Sequence, residues 1–497
     1  METEIEIKFL FSSQFQSELY DKINAQRFIS SKKQLLHNVY FDTANRLLRE
    51  MDMGLRVRSC DGRSVQTIKT AGRVIGGLHQ RPEYNEPIQG LRPEISRFNS
   101  KIWPQDCDLK KLEADLIPIF STDFERQTWL VEMSDDTLIE VAYDSGFIET
   151  NQGKLDICEI ELELIKGDEE QLFIFGNEIA TLPSVRLGNV SKAQRGYMLI
   201  DNASFQVNPL TYSPVNSDMS IEQALLTNMQ HGLHHIQYHE NCYIETLKPE
   251  ALDEFLTGLK FIHQNLKLFK ELSPSLLKAQ WVDDLHWLAR TFSWLDTRQV
   301  QQNLLENKGH YLRKLPKFKI LLNKLQEQDK KLPNSKEIVE LLNSTRYCKF
   351  ILNLTKWLIL FEKSTFSSEK KYAIDKFSCE TLTRLWDKLR VEFKRNTDNP
   401  LGFCQGQLDS CLLVDLSVGN LFSQEKRFIF RSPWLDIKRG MQELAMIDVI
   451  VDFAEQETAS ERQGEYYKWI QRKKESLLHA LEQSKEQAIL KEPYWLD

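Results

Sequence analysis

At 497 residues, with 41% hydrophobic and 27% charged residues, the chain has the make-up of ordinary globular protein, neither disordered nor fibrous. Its formal charge of -8 excludes a broad polyanion-attracting field and is unevenly placed: residues 1–200 hold 24 Lys+Arg against 32 Asp+Glu, the remainder 40 against 40. No apolar run reaches 18 residues, and the eight cysteines form no CxxC pair or zinc-ligand spacing, which predicts a cytoplasmic protein with reduced thiols, no membrane and no nucleic-acid partner.

The chain opens "METEIEIKFL", where Ile5, Ile7 and Phe9 share one face of a strand and Glu4, Glu6 and Lys8 the other, with Glu2 before them. Short β-like runs follow: "LLHNVYFDT", "GLRVRSC", "SVQTIKTAG", "QTWLVEM", "TLIEVAYD" and "ICEIELELI". Turn signals such as Asp61-Gly62 and Ser134-Asp135-Asp136 join several of them and predict an antiparallel sheet or barrel. Helical interruptions are expected around 13–25, 108–117 and 168–181.

Carboxylate alternation returns in "CEIELELI", which puts Glu159, Glu161 and Glu163 on one strand face. Such groups repel and raise one another's pKa unless a hard divalent cation such as Mg²⁺ or Mn²⁺ sits among them. A solvent-facing amphipathic strand accounts for one such strand equally well; two of them in one domain favour the metal. Between them lie the cations Arg56, Arg58, Lys69, Arg81, Arg126, Lys192 and Arg195, with Glu83 beside Arg81. In a closed barrel one residue in two points inward. The interior would then hold cations beside carboxylates, which suits an oligophosphate bridged by a metal. For any single Arg an interstrand surface ion pair explains the residue as well as ligation does.

"EIEIK" matches the ExExK signature of the CYTH, or triphosphate tunnel metalloenzyme, superfamily. "YFDT", "LRVR", "TIKTAG", "GGLHQRPEYN", "FSTDFERQTW", "EVAYDSG", "ICEIELEL" and "SKAQRGY" follow in that family's order. Residues 1–200 thus resemble a CYTH domain, most closely that of bacterial inorganic triphosphatases fused to a CHAD domain. The resemblance implies an eight-stranded antiparallel β tunnel with flanking helices, in which Glu4, Glu6 and Lys8 are catalytic. Glu4, Glu6, Asp144 and two of Glu159, Glu161 and Glu163 would ligate Mg²⁺ or Mn²⁺, and Glu159 and Glu161 fit the family's ExE best. Lys8, Arg56, Arg58, Lys69, Arg126, Lys192 and Arg195, with Arg81 and Glu83 as further candidates, would hold inorganic triphosphate for cleavage to pyrophosphate and phosphate. Thiamine triphosphatase, adenylyl cyclase and a non-catalytic polyphosphate or nucleotide sensor are the alternatives. Intact carboxylate strands favour the enzyme.

The Asn-, Ser- and Pro-rich stretch 201–218 reads as a linker, and from 219 to 497 the period becomes helical, predicting an all-α bundle of eight to ten helices. In "HGLHHIQYHE", His231, His235 and His239 recur every four residues, with His234 adjacent. Hydrogen-bonded imidazoles on an amphipathic helix explain this spacing better than a metal site. The texture resembles a CHAD domain. That family's arginine-rich helix corresponds here to "LDEFLTGLKFIHQNLKLF", with only Lys260, His263, Lys267 and Lys270 basic, so weak polyphosphate binding is the expectation.

Overall fold

The computed structural model describes residues 2–269, 279–306, 318–365, 373–395, 400–455 and 465–496. The first two hundred residues form ten strands: β1 (Glu2–Leu10), β2 (Phe28–Asp42), β3 (Gly54–Cys60), β4 (Arg63–Lys69), β5 (Arg73–Ile75), β6 (Leu78–Ile88), β7 (Ile117–Glu132), β8 (Leu138–Thr150), β9 (Gly153–Lys166) and β10 (Arg186–Leu187). The antiparallel order β1-β9-β8-β7-β2-β3-β4-β6 closes on itself because β6 also pairs with β1, giving an eight-stranded barrel with β5 and β10 as short additions. Asp61 and Gly62 both take positive φ and make the two-residue turn between β3 and β4.

The barrel reverses the usual polarity. Ile7 and Phe9 on β1, Leu55 and Val57 on β3, and Ile139 and Val141 on β8 point outward and are buried. Helices cover this outer face: α1 (Gln16–Asn24), the single turn α2 (Leu47–Glu50), α3 (Leu109–Asp115) and α4 (Glu169–Ile179). Leu48 and Leu112 join Leu55, Val57 and Ile68 in one cluster, and Tyr20 of α1 packs on Trp129 and Tyr143. The polar faces of the strands therefore turn inward, away from bulk water. At one end the interior is apolar and filled by α5 (Lys192–Ile200), whose Tyr197 packs with Phe120, stacked on Tyr40 at 4.4 Å.

After residue 202 the chain runs without regular structure to an all-α region. Its helices among the described residues are α6 (Ile221–Thr246), α7 (Pro249–Phe269), α8 (Gln280–Thr291), α9 (Trp294–Glu306), α10 (Phe318–Asp329) and α11 (Ser335–Leu342). There follow α12 (Thr345–Thr365), α13 (Ile374–Arg395), α14 (Pro400–Val418), α15 (Gln424–Glu455) and α16 (Glu465–Leu490). These eleven exceed the eight to ten expected, because continuous periodic stretches break into separate helices, as between α8 and α9.

Packing divides the chain into two compact units. The first joins Met1–Gln206 to Glu240–Thr246 and Ile338–Leu360; the second joins Val207–His239, Leu247–Glu337 and Phe361–Asp497. Within the first, Leu352 lies against Gly176 of α4, Asn177 donates to Asn353 at 3.1 Å, and Lys356 pairs with Glu170 at 2.6 Å. In the second, Trp386 packs against Phe430 and Trp434, and buried Asp415 accepts from Tyr212 and pairs with Arg431.

Candidate active site

Alternation puts the charged residues of the barrel strands on its inner face, and register decides their neighbours. Glu6 stands opposite Glu163 and Lys8 opposite Glu161 on β9, while Glu4 faces Arg81 and Glu6 faces His79 on β6. Arg126 on β7 faces Asp144 on β8, which faces Glu159. The interior holds a cavity of about 90 Å³ whose walls include Glu4, Glu6, Lys8, Arg56, Arg58, Lys69, Arg81, Arg126, Glu161 and Lys192. Glu83, Asp144 and Glu159 pair with Lys69, Arg126 and Lys8 of those walls, and Arg195 pairs with Glu159. The structure thus brings the sequence-expected residues into one interior, with Glu163 beside Glu6.

On the side of the cavity formed by Lys8, Arg126 and Lys192 the charges cancel. Lys8 donates to Glu159 at 2.9 Å and also to Glu161. Lys192 reaches Asp144 at 2.7 Å, Glu161 at 3.0 Å, and Glu159. Arg126 forks onto both oxygens of Asp144 at 2.7 Å and reaches Glu161 at 2.5 Å. Arg195 adds a 3.3 Å contact to Glu159. Burial alone would push these acids up; Arg126 and Lys192 instead hold Asp144 below the usual carboxylate range, and Lys192, Lys8 and Arg126 hold Glu161 well below it. Ligand atoms of Asp144, Glu159 and Glu161 lie within 4.8 Å of one another, close enough to share a metal ion. A divalent ion placed there would have to displace ammonium groups already in bonding contact.

On the side formed by Glu4, Glu6 and Glu163 they do not cancel. Lys69 pairs with Glu4 and, at 3.0 Å, with Glu83. Burial would raise Glu83, yet Lys69 and Arg56 bring it down to about 2. Among the described residues no cation makes bonding contact with Glu6 or Glu163. Burial, then the charges of Glu4, Glu6 and Glu140, push Glu163 up to about 8, and burial with Glu6 raises Glu4 against the pull of Lys69. Glu4 and Glu6 on β1 and Glu163 on β9 offer the hard oxygen donors that Mg²⁺ or Mn²⁺ takes, with excess negative charge, but Lys69 already bonds Glu4, and among the described residues only Asp144, Glu159 and Glu161 bring their ligand atoms within 4.8 Å of one another.

Arg58 and Arg81 show the opposite imbalance: the Nε of Arg81 is buried without a hydrogen bond, and Arg58 bonds only neutral Asn38, at 2.8 Å. Arg56 also leaves its Nε without a hydrogen bond but bonds Tyr40, and against burial Tyr40, Glu83 and Glu4 raise its pKa. Burial, with Arg56 and Arg126 nearby, lowers Arg58 to about 9. No carboxylate makes bonding contact with any of the three among the described residues.

Sequence reasoning passed over His79 and Glu140. His79 is buried and its Nε2 donates to the Gly188 carbonyl at 3.0 Å; burial lowers its pKa and keeps the ring neutral. Glu140 stands opposite Glu163. The signal for both was strand parity: His79 precedes Arg81 by two residues and Glu140 precedes Asp144 by four.

The histidine stripe makes ordinary hydrogen bonds. His231 donates to the Thr211 carbonyl at 3.0 Å, His235 meets Glu254 at 3.0 Å, and His239 donates to the His235 carbonyl while accepting from the Asn208 amide. Lys260 pairs with Asp296 at 3.0 Å and His263 packs on His286; Lys270 lies outside the described residues. Among the described residues no helix is long and apolar enough to cross a membrane.

Comparison with known proteins agrees with this layout. Residues 2–197 match the CYTH domain family model and residues 228–402 the CHAD domain family model. Over 199 residues the chain is 38% identical to an inorganic triphosphatase of Haemophilus influenzae; the match covers 39% of this chain and 54% of that protein, about half of its length. Among solved structures, the chain is similar to a candidate adenylyl cyclase from Hippeastrum described by its dominant triphosphatase activity, with 20% identity, 40% of this chain and 96% of that one covered, and a TM-score of 0.30. It is also similar to the CHAD domain from the plant Ricinus communis, with 17% identity, 59% and 98% covered, and a TM-score of 0.44. The chain thus carries a CYTH domain over residues 2–197 and a CHAD domain over residues 228–402.

Proposed function

We propose that the barrel hydrolyses inorganic triphosphate to pyrophosphate and phosphate with the help of Mg²⁺ or Mn²⁺. One observation carries this reading: inside a closed barrel, among the described residues, Arg58 and Arg81 lack a carboxylate in bonding contact while Glu6 and Glu163 lack a cation. Charge left without a partner inside a barrel is costly, so both sets are poised for ligands of opposite sign. Guanidinium forks match phosphate oxygens, and the carboxylates match a hard cation. Burial and the charges of Glu4 and Glu6 push Glu163 up to about 8, and a hard cation bound among these carboxylates would relieve that repulsion, which supports metal dependence.

Glu4, Glu6 and Glu163 would hold the ion, which supplies Lewis-acid polarisation of the phosphate and neutralises its charge. Arg56, Arg58, Arg81 and Lys69 bind the oxygens and align the chain. Lys8, Arg126 and Lys192, fixed by Asp144, Glu159 and Glu161, present preorganised positive charge to the departing pyrophosphate. Water bonds to the terminal phosphorus as the bridging P–O bond breaks, the electron pair leaving with pyrophosphate and the water's proton passing to solvent or to the pyrophosphate oxygen. The triphosphatase at 38% identity over this part supports the reading. Phosphate release from triphosphate, ATP and thiamine triphosphate with either metal tests it. Preference for triphosphate is expected; no turnover of triphosphate, or faster release from ATP or thiamine triphosphate, overturns it.

A further inference from the structure

The short strand β10 and the turn after it run from Arg186 to Lys192, and this segment ties the active site to the helical region. At its far end Lys192 delivers its ammonium to Asp144 at 2.7 Å and Glu161 at 3.0 Å. In its middle the Gly188 amide donates to the Lys8 carbonyl at 2.8 Å, and the Gly188 carbonyl accepts from His79. A Cβ at Gly188 would lie 3.2 Å from the Lys8 side chain, so this backbone rests directly on a catalytic lysine. Ser191 then starts α5 with a reciprocal capping box, which fixes the direction in which Lys192 leaves the backbone.

What holds the near end comes from more than fifty residues further along. Arg186 Nη1 donates to Glu240 at 3.1 Å and to Asn241 at 2.7 Å, and Asn241 donates in turn to Asn189 at 2.9 Å. Tyr347 of α12 donates to the other oxygen of Glu240 at 2.7 Å. Glu240 and Tyr347 are 2% and 1% exposed, so neither bond is replaced by water if it is lost. Glu240 and Tyr347 belong to the helical segments that pack within the barrel's unit. Nothing in the proposed chemistry uses them.

We infer that the Glu240 carboxylate, held by Tyr347, is a positioning group for the barrel: through Arg186 and Asn241 it fixes the segment 186–192 and so the placement of Lys192, Lys8 and His79. This rests on the function proposed above. Because the segment touches the Lys8 and Lys192 end and not Arg56 or Arg58, its release acts on turnover more than on substrate affinity.

The test uses the full chain with Glu240→Gln and, should that variant not fold, Tyr347→Phe. Asn353→Ala serves as a control on α12, because its partner Asn177 leads to α4 and not to the barrel interior. Two readouts are taken: kcat and KM for triphosphate, and amide exchange of the peptide spanning 186–192. Expected are a kcat about tenfold lower with KM within about twofold, faster exchange at 186–192, and a control like wild type in both. Unchanged exchange at 186–192, or an unchanged kcat in a variant with faster exchange, overturns the inference, as does a control with the same losses. If the wild type turns over no triphosphate, the proposed function fails separately. The exchange result alone then decides the clamp: faster exchange supports it and unchanged exchange overturns it.

Discussion

Arg126 is matched by Asp144 and Glu161, whereas Arg58 meets only a neutral amide, and that difference separates charge fixed by protein partners from charge left for a ligand. Removing one partner from a buried pair leaves an uncompensated charge, so Arg126→Ala is expected to destabilise by about 3 kcal/mol in denaturant melts. Arg58→Ala removes a charge with no partner, so its melting temperature should equal or exceed that of wild type while KM for triphosphate rises about tenfold or more. A KM unchanged in Arg58→Ala would place the phosphate chain elsewhere. Glu163 gives a pH signature in metal-free protein. Its folded pKa of about 8 exceeds the ordinary 4.5, so the folded state binds the extra proton between those values. Stability should therefore fall as pH rises from 4.5 to 8, and Glu163→Gln should flatten that slope in melts run with a chelator. The sequence put Glu159, Glu161 and Glu163 on one strand face; spacing did not choose among them, and the family resemblance favoured Glu159 and Glu161. Only the register with β1 sets Glu163 beside Glu6 and Glu159 among the lysines.

At the scale of elements, α5 is both plug and carrier. Gly196 allows the helix to lie on Phe120, where a Cβ would come within 2.4 Å of the ring. Gly196→Ala should cost about 1–3 kcal/mol by overpacking and lower kcat, since α5 also carries Lys192; thermal melting and phosphate release check the two halves. Strand existence was readable from alternation, as in "EIEIKF" and "CEIELELI", and so was the polar face. Which side of the barrel that face turns to was not: period 2 is the same whether carboxylates point to solvent or inward. Closure by the pairing of β1 with β6 decides it, and that long-range contact leaves no local mark. The nine residues of α5, at a domain edge, give too weak a helical period to be read as a helix from "SKAQRGY".

The whole molecule does not divide at one point along the chain. Periodicity marks 201–218 as a change of texture, but Glu240–Thr246 and Ile338–Leu360 read like any other amphipathic helix and give no sign that they pack in the barrel's unit. A chain ending at residue 206 lacks both segments. It should melt at a lower temperature and be cleaved faster by protease than the barrel within the full chain. The helical region keeps few free cations where the family's basic helix would be, since Lys260 is paired with Asp296. Filter binding of long-chain polyphosphate to the full chain bearing Arg58→Ala is expected to be weak at two salt concentrations; tight, salt-sensitive retention would contradict this. The proposed roles of Glu4, Glu6 and Glu163 as metal ligands in a triphosphate-hydrolysing barrel are checked most directly by titrating Mn²⁺ against phosphate release from triphosphate in wild type, Glu6→Gln and Glu163→Gln. Turnover reduced about a hundredfold or more in both variants is expected, with half-saturation shifted to higher Mn²⁺. Wild-type turnover at wild-type metal concentration in either variant would contradict those roles.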